Sequence, residues 1–193
     1  MYLKMEVIKT DIDGVIIIEP KVFKDNRGYF YETYNDEEFQ NAIGHPISFV
    51  QENESKSSYG VLRGIHFQDG LTSQAKLVRV TRGKVLDVAV DLRKNSPTYG
   101  KWTSVILSAR NRRQFFLPKG FGHGFVVLSK TAIFQYKCDD FYCKETEGGI
   151  AWNDPKLNID WGIPKDDIIL SEKDKHHESF EEFNKHNLFY NLF

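Results

Sequence analysis

Within residues 84–92 a large apolar side chain recurs at every second position, because Leu86, Val88, Val90 and Leu92 alternate with Asp87, Ala89 and Asp91. A repeat of two residues is the period of a β-strand, in which successive side chains point to opposite faces. The sequence therefore predicts a strand with one apolar face, and Asp87 and Asp91 on its polar face are interpreted as structural. The preceding run, residues 76–81, is a second predicted strand, and we expect Arg82-Gly83 to join the two as a hairpin.

Short strands of this kind recur along the chain. Further strands are predicted at residues 16–19, 48–51, 102–107, 114–117, 124–128 and 132–137. Turn residues separate them at near-regular intervals, which indicates an antiparallel sandwich or barrel. Helix is predicted only at residues 36–42 and 178–184. A C-terminal tail from about residue 175 carries aromatic residues that we expect to pack onto the barrel or a partner subunit, namely Phe180, Phe183, Phe189, Tyr190 and Phe193.

Length and charge limit the classes of protein that the chain can belong to. Its 193 residues are enough for one well-buried domain and few for two, so a single domain over residues 1–193 is predicted. The formal net charge of -1 gives no overall field for a nucleic acid or an anionic membrane. No apolar run reaches the roughly 18 residues of a membrane span, and the N-terminus lacks a signal-peptide pattern. We predict a cytoplasmic protein with two free thiols, Cys138 and Cys143.

His66 stands in a run where a second histidine would be needed to hold a metal. Metal-binding barrels of this kind place that histidine two positions later, on the same face of the strand, and here the position is Gln68. His66 is therefore interpreted as a proton-transfer base and not as a metal ligand. No metal site is predicted.

A second candidate histidine, His123, follows a turn that begins at Pro118. Gly64-Ile65-His66 and Pro118-x-Gly120-x-x-His123 together resemble the two half-motifs of the cupin superfamily. The resemblance implies an all-β fold, a cupin-type double-sheet jelly-roll barrel with short flanking helices, and both histidines pointing inward. Catalytic zinc and non-haem iron sites need about three protein ligands, and only two remain here.

A longer series of motifs, spread from about residue 27 to residue 174, narrows the resemblance. In chain order they include Asp25-Asn26-Arg27-Gly28, Gln51-Glu52-Asn53, Arg63-Gly64-Ile65-His66-Phe67-Gln68, Gly120-Phe121-Gly122-His123-Gly124, Trp152-Asn153-Asp154-Pro155 and Ser171-Glu172-Lys173-Asp174. Together these motifs resemble the dTDP-4-dehydrorhamnose 3,5-epimerase family.

The family resemblance implies cofactor-free epimerisation at C3 and C5 of a dTDP-linked 4-keto-6-deoxy sugar, a step towards dTDP-L-rhamnose for a cell-envelope polysaccharide. It implies that His66 is the base and that Asp174 orients its ring. Lys76 would lie near the C4 oxygen, and Tyr136 would return a proton from the opposite face.

The resemblance also implies a set of substrate-binding positions. These are Arg27, Glu32, Gln51, Glu52, Asn53, Arg63, Lys76, His123, Tyr142, Glu147 and Lys173. The family further implies a homodimer with exchanged N-terminal strands, so some of these positions would serve the site of the neighbouring subunit.

Two expectations concern side-chain direction. In a flat strand Arg63 and His66 would face opposite sides, so a shared site predicts a bulge at Gly64. The remaining histidines lie in polar or terminal segments and are expected to face solvent: His45, His176, His177 and His186.

Three alternative functions remain open at this point. The first is an epimerase that acts only at C3, or on a related nucleotide-linked keto sugar, with the same base. The second is a metal-dependent cupin oxygenase. The third is a barrel that binds a sugar nucleotide without catalysis.

Overall fold

Two antiparallel β-sheets face each other in the computed structural model, which describes residues 5–187 and Phe189. The strands of these residues are, in chain order, β1 (Met5–Lys9), β2 (Ile16–Pro20), β3 (Phe23–Asp25), β4 (Gly28–Phe30), β5 (Gln51–Ser58), β6 (Leu62–Gln68), β7 (Lys76–Arg82), β8 (Lys84–Asp91), β9 (Trp102–Ser108), β10 (Gln114–Leu117), β11 (Phe121–Val127), β12 (Thr131–Cys138) and β13 (Glu147–Gly149). One sheet has the order β1-β2-β10-β7-β12-β5 and the other β13-β6-β11-β8-β9, while β3 and β4 form a separate hairpin.

The space between the two sheets is filled by apolar side chains from both. Val78 and Phe134 come from the six-stranded sheet, and Ala89, Leu107 and Phe125 come from the five-stranded sheet. The rings of Phe125 and Phe134 stack across the interior with their centroids 4.2 Å apart. This shared core makes the fold a double-sheet jelly-roll barrel, as the sequence predicts.

Strand β8 is confirmed, but its second face is not a solvent face. Val88 and Val90 pack beneath the C-terminal segment, while Val85 and Ala89 point into the barrel. Asp87 shares the inward face and is fully buried. One face of β8 thus lies in the barrel interior and the other lies beneath the C-terminal segment. The expectation of a polar outer face is wrong because both faces of this sheet are covered.

The predicted hairpin between β7 and β8 is also wrong. The two strands belong to different sheets: β7 pairs with β10 and β12, and β8 pairs with β9 and β11. Gly83 turns the corner at φ +79°, and a Cβ at this position would lie 2.0 Å from the carbonyl oxygen of Thr131. The connection between β11 and β12 leaves no room for a side chain at this corner, where the chain passes into the facing sheet.

The predicted strand at residues 48–51 is displaced. The structure begins β5 at Gln51 and continues it through a run without a single apolar side chain. This polar run is a strand because its backbone pairs with β12 along its whole length, from Gln51 opposite Cys138 to Ser58 opposite Thr131. Periodicity of apolar residues cannot detect such a strand, although it lines the barrel beside the candidate site.

Helix α1 (Asp36–Ile43) confirms the prediction for residues 36–42. The side chain of Asn35 accepts a hydrogen bond from the backbone N–H of Glu38, and Gly44 ends the helix at φ +80°. Phe39 is buried beneath the helix and meets the ring of Phe116 edge-on at 5.2 Å. The helix therefore covers the outer face of the six-stranded sheet.

The chain from Ile150 onward covers the outer face of the five-stranded sheet. Helix α2 (Phe180–His186) begins two residues later than predicted, after a capping box made by Ser179 and Glu182. Phe183 and Phe189 are buried, with ring centroids 4.9 and 5.7 Å from that of Phe67. The expected packing of the tail aromatics is confirmed for these residues, whereas Tyr190 and Phe193 lie outside the described residues.

No helix in the described part of the chain is long and apolar enough to cross a membrane.

The predicted bulge at Gly64 is confirmed. His66 pairs with His123, and Arg63 pairs with Phe125. Arg63 and His66 are three residues apart on β6, whereas their partners are two residues apart on β11, so β6 contains one extra residue. Because His123 and Phe125 are two apart on one face, the extra residue places Arg63 and His66 on the inward face together. Gly64 has φ +124°, and a Cβ there would lie 2.5 Å from the Cα of Gly124.

We predict that Gly64→Ala lowers the free energy of unfolding by roughly 3 kcal/mol, because a positive φ and an overpacked contact each cost about 1–3 kcal/mol. Urea unfolding of the two proteins measures the difference. Gly44→Ala is the matched control, since Gly44 also has a positive φ, +80°, but a Cβ there meets nothing within 4 Å. Equal losses in the two variants would contradict the role of close packing at Gly64.

Candidate active site

The centre of the site is a contact between His66 and Asp174. Nε2 of His66, on β6, lies 2.5 Å from Oδ1 of Asp174, which is 108 residues further along the chain. The imidazole is 31% exposed on one side, and the carboxylate is only 4% exposed. A buried carboxylate fixes the orientation of the ring, while part of the ring stays accessible.

Ser171 holds the carboxylate in place. Its hydroxyl donates a 2.6 Å hydrogen bond to Oδ2 of Asp174 and accepts one of 3.1 Å from the Asp174 backbone N–H. Burial by itself would raise the pKa of Asp174, but contacts with His177, His66 and Ser171 outweigh it and hold this pKa well below its usual range. Asp174 is therefore a negative charge beside His66 at any neutral pH.

His177 contacts the same carboxylate, and the expectation that it faces solvent is wrong. Its Nε2 lies 3.3 Å from Oδ1 of Asp174, and its side chain is 8% exposed. The turn at residues 174–176 folds the ring back onto the backbone of Gly149 instead of leaving it in water. His45, His176 and His186 are exposed, as expected.

Tyr142, Glu147 and Lys173 form a second group beside the dyad. The hydroxyl of Tyr142 donates a 2.8 Å hydrogen bond to Oε2 of Glu147, and the ammonium of Lys173 pairs with the same oxygen. Gln51 joins them, because its Oε1 accepts a 3.0 Å hydrogen bond from the backbone N–H of Tyr142. These predicted binding residues therefore come from β5, from the loop before β13, from the first residue of β13 and from the Asp174 turn.

Gln68 positions the loop that carries Tyr142. Its side chain is 4% exposed. Nε2 donates 2.7 Å hydrogen bonds to the carbonyl of Cys143 and to the hydroxyl of Thr146, and Oε1 accepts one from the Cys143 backbone N–H. The residue that replaces a metal ligand in the sequence thus ties the strand that carries His66 to this loop.

Tyr136 lies on the inward face of β12, opposite Asn53 of β5. Burial raises the pKa of Tyr136, and the guanidinium of Arg63 and a hydrogen bond with Asn53 only partly offset this rise. The phenol therefore remains protonated at neutral pH and can act as an acid. Arg63 is held by a 3.2 Å hydrogen bond to the hydroxyl of Ser57.

Lys76 begins β7 beside a buried acid–histidine pair. Nε2 of His123 lies 2.9 Å from Oδ1 of Asp87 on the barrel interior. Burial lowers the pKa of Lys76, although the negative charges of Asp87 and Glu147 oppose the shift. The positive charge of Lys76 in turn lowers the pKa of His66, so the ammonium and the imidazole act on one another.

Most of the predicted residues therefore meet at one end of the barrel, where β5, β7 and β11 begin and β6 and β12 end. Three predicted residues do not join them within this chain. Arg27 pairs with Asp25 in the exposed β3–β4 hairpin, and its side chain is 85% exposed. Glu32 lies beyond that hairpin, beside the start of α1. Glu52 points to the outer face of the sheet and pairs with Lys137 at 2.9 Å.

The sequence interpretation missed four residues of this site. Ser171 begins the family motif that ends at Asp174, but the resemblance implies no role for it. The sequence shows Gln68 only as the residue in place of a metal-binding histidine. Asp87 is predicted to be structural. Because it lies on the same strand face as the small apolar residue Ala89, the sequence also allows it to point into the barrel. No local signal marks His177, because its position depends on a fold-back onto Gly149.

Together, the barrel and these side chains define a jelly-roll protein equipped for proton transfer at a substrate bound at one end of the barrel. The family model described as dTDP-4-dehydrorhamnose 3,5-epimerase matches residues 9–182. The chain belongs to this family.

Individual relatives agree with this assignment. The dTDP-4-dehydrorhamnose 3,5-epimerase of Escherichia coli (strain K12) is 54% identical over 171 residues, which cover 89% of this chain and 92% of the relative. A crystal structure of the enzyme of that name from Elizabethkingia anophelis NUHP1 superposes with a TM-score of 0.91 at 56% identity, covering 94% of this chain and 99% of that one. The Legionella pneumophila dTDP-6-deoxy-D-glucose-3,5-epimerase, solved in complex with dTDP-4-keto-L-rhamnose, gives 0.87 at 49% identity, with 91% and 92% covered.

We predict that Gln68→Met loosens the loop at residues 142–146, because the N–H and the carbonyl of Cys143 lose their hydrogen bonds with Gln68 at a cost of about 1–3 kcal/mol. Hydrogen–deuterium exchange measured by mass spectrometry should show faster exchange in this loop. Gln74→Met is the matched control, since Gln74 is also buried but donates to the carbonyl of Asp140. Unchanged exchange at residues 142–146 in Gln68→Met would refute the positioning role.

Proposed function

We propose that this epimerase inverts C3 and C5 of dTDP-4-dehydro-6-deoxy-D-glucose to give dTDP-4-dehydro-L-rhamnose, with His66 as the base and without a cofactor. The observation that carries the proposal is the contact of His66 with the buried Asp174 in a barrel of the 3,5-epimerase family. The bound ligand named for the Legionella relative supports the substrate class.

The chemistry sets a demand that a base alone cannot meet. Both carbons flank the C4 ketone, so their protons are acidic, but a ketone α-proton lies roughly 12 pKa units above a histidine, or about 16 kcal/mol. An enolate must therefore be stabilised while the proton is on His66. The residues around the imidazole supply this stabilisation in two places.

Asp174 acts on the protonated ring. Burial lowers the pKa of His66, and the hydrogen bond to Asp174 opposes that shift. The imidazole is therefore neutral and ready to accept a proton at neutral pH, and the carboxylate stabilises the imidazolium once it forms. Because Nε2 contacts Asp174, Nδ1 is the nitrogen that takes the substrate proton in this proposal.

Lys76 acts on the enolate. An ammonium beside the C4 oxygen stabilises the developing oxyanion more strongly in a poorly hydrated barrel than in water. The charges of Asp87 and Glu147 favour the charged form of the lysine against the effect of burial. Asp87 also binds His123, which we place against the sugar.

Tyr136 returns a proton from the other side. Inversion needs a donor on the face of the sugar opposite the base, and one residue cannot occupy both faces. In each inversion a C–H bond breaks as the proton moves to His66, and a new C–H bond forms with the phenolic proton of Tyr136. Both groups then exchange protons with solvent before the second carbon reacts.

The remaining predicted residues are proposed to bind the nucleotide and diphosphate. Tyr142, held by Glu147, would stack on the base, and Lys173, together with Gln51 and Asn53, would line the path of the substrate. Arg63 would contact the diphosphate, because its planar guanidinium can form paired charge-assisted hydrogen bonds.

We further propose a homodimer in which Arg27, and with it Glu32, serves the partner's site. The β3–β4 hairpin that carries Arg27 exposes Phe23, Tyr29 and Phe30 by 47%, 60% and 70%. Three exposed aromatic side chains on one short hairpin favour an interface, since a monomer seldom leaves such a patch uncovered. A cytoplasmic location stays a prediction from the sequence.

Proton NMR in deuterated water tests the reaction. The wild-type enzyme should incorporate deuterium at both C3 and C5, and His66→Ala should lose turnover by roughly 10² or more. Tyr136→Phe should slow inversion by a similar factor while exchange continues, because His66 can still return a solvent proton to the face from which it took one. Tyr142→Phe is the control, since it keeps the acid and should leave the ratio of inversion to exchange unchanged.

Each alternative function gives a different result in this experiment. Exchange at C3 alone would replace the proposal with a C3-specific epimerase. Substrate binding without exchange at either carbon would identify a non-catalytic barrel. Activity that requires stoichiometric iron or zinc would favour the cupin oxygenase.

Subunit complementation tests the contribution of Arg27. Arg27→Ala alone should lower kcat/KM roughly tenfold or more, since a hydrogen bond to a charged group contributes about 1.5–3 kcal/mol. When Arg27→Ala and His66→Ala chains are refolded together, half of the dimers pair the two, and each has one intact site. Turnover should recover to about one quarter of the wild-type value.

A mixture of His66→Ala and Asp174→Asn chains is the matched control for complementation. His66 and Asp174 contact each other within one chain, so no mixed dimer of these two variants contains a complete site. If the Arg27 mixture recovers no more activity than this control, Arg27 does not serve the partner's site.

A further inference from the structure

The carboxylate of Asp174 lies between two imidazole rings. His66 approaches Oδ1 at 2.5 Å and His177 approaches the same oxygen at 3.3 Å. The two ring centroids are 5.3 Å apart, in an edge-to-face arrangement. A single oxygen is therefore flanked by ring nitrogens from two different segments of the chain.

His177 is held in this place by packing. A Cβ on Gly149 would come within 2.3 Å of the ring, so the imidazole lies directly against the backbone of β13. Its Nε2 is buried, and the contact with Asp174 lacks hydrogen-bond geometry; no other residue of the described chain bonds this atom. The ring thus directs a ligating atom at the dyad without being committed to a hydrogen bond.

Ligating atoms of His66, Asp174 and His177 all lie within 4.8 Å of one another. Two imidazole nitrogens and one carboxylate oxygen form a common three-ligand set for Zn²⁺, with the fourth position open. Mg²⁺ and Ca²⁺ prefer oxygen ligands and do not suit this set. Of these three ligands only His66 belongs to a half-motif, whereas Asp174 and His177 come from the C-terminal segment.

We propose that His66, Asp174 and His177 bind a Zn²⁺ ion reversibly, and that this ion inhibits the epimerase. The blocking step rests on the proposed function: when Nε2 of His66 donates its lone pair to the metal, the proton of the neutral ring lies on Nδ1, which then cannot accept the substrate proton. Metal binding itself does not depend on that function.

The two distances that involve Asp174 can be compared with those of a zinc site. Ligands about 2.1 Å from a tetrahedral zinc ion are about 3.4 Å apart. The distance from Asp174 to His177 already has this value within 0.1 Å, at 3.3 Å. The distance from Asp174 to His66 must open by about 1 Å, and His66 has room because it is the more exposed of the two rings.

The charges around the three ligands do not favour a cation by themselves. Lys76 acts on His66 and would oppose a cation. Glu147 also acts on His66 and would favour one, but it is paired with Lys173. The affinity must therefore come from the three ligands, and the exposed side of His66 is the route by which the ion enters.

Zinc binding is measured first without substrate. Isothermal titration calorimetry should show one Zn²⁺ per chain, and Co²⁺ should give the visible absorption of a tetrahedral site. His177→Gln and His177→Phe should each weaken binding at least tenfold; the phenylalanine keeps the ring packed on Gly149 while removing both nitrogens. His66→Asn should weaken binding as well, because the proposal makes the base a ligand.

Two exposed histidines provide matched controls. His176→Gln changes the neighbour of His177, and His186→Gln removes a surface pair with Glu178 that could hold a metal weakly. Both control variants should bind zinc as the wild type does. Circular dichroism and thermal unfolding of all variants separate a lost ligand from a lost fold.

Inhibition is then measured at fixed free Zn²⁺ as the ratio of rates with and without metal, so that any change in basal activity cancels within each variant. The wild type should be inhibited and should recover on addition of EDTA, while the His177 variants should need at least tenfold more zinc. Wild-type affinity weaker than millimolar, or His177→Phe binding as tightly as the wild type, would overturn the site. Tight binding at the three residues without inhibition would overturn the blocking step.

Discussion

The five-stranded sheet is buried on both faces, and the rest of the site depends on this constraint. One face closes the barrel with Val85 and Ala89, and the other must be covered by the chain that follows β13. Burial of Phe67 beneath Phe183 and Phe189 holds that chain against β6. A fully buried phenylalanine contributes about 1.5–3 kcal/mol, so this packing is strong enough to fix a segment that is largely irregular before helix α2. The turn bearing Asp174 lies in this segment, and it reaches His66 for that reason.

The parts of the fold that depend on local signals could be predicted from the sequence. Helix α1 is delimited by Asn35 and Gly44, whose effects act within a single turn. The bulge at Gly64 needs the family resemblance as well, because that resemblance assigns Arg63 and His66 to one site and a flat strand would place them on opposite faces. By contrast, the destinations of β7 and β8 depend on how closely Gly83 approaches the connection at Thr131, and no pattern within either strand contains that information.

The site divides in the same way. The order of motifs identifies His66 and Asp174, and the structure shows that these two residues are in contact. Glu52 shows the limit of transferring whole motifs: neighbouring residues of a strand face opposite sides, so Glu52 cannot point with Gln51 and Asn53. The sequence does not reveal this alternation, because β5 has no apolar residues to mark its inward face. His177 gave no sign at all, since its burial depends on a segment that is distant in sequence.

Gly149 has a consequence beyond its place in β13. Its backbone does not require the left-handed region, so the residue is suited to its position by its small volume and not by its torsional freedom. The imidazole of His177 occupies the space that a methyl group would fill, and His66 is the partner of Gly149 across the strand pair. The absence of a Cβ at Gly149 therefore lets the C-terminal turn lie close to the strand that carries His66. A residue with no functional group of its own thus acts as a spacer that determines how near the second imidazole stands to the first.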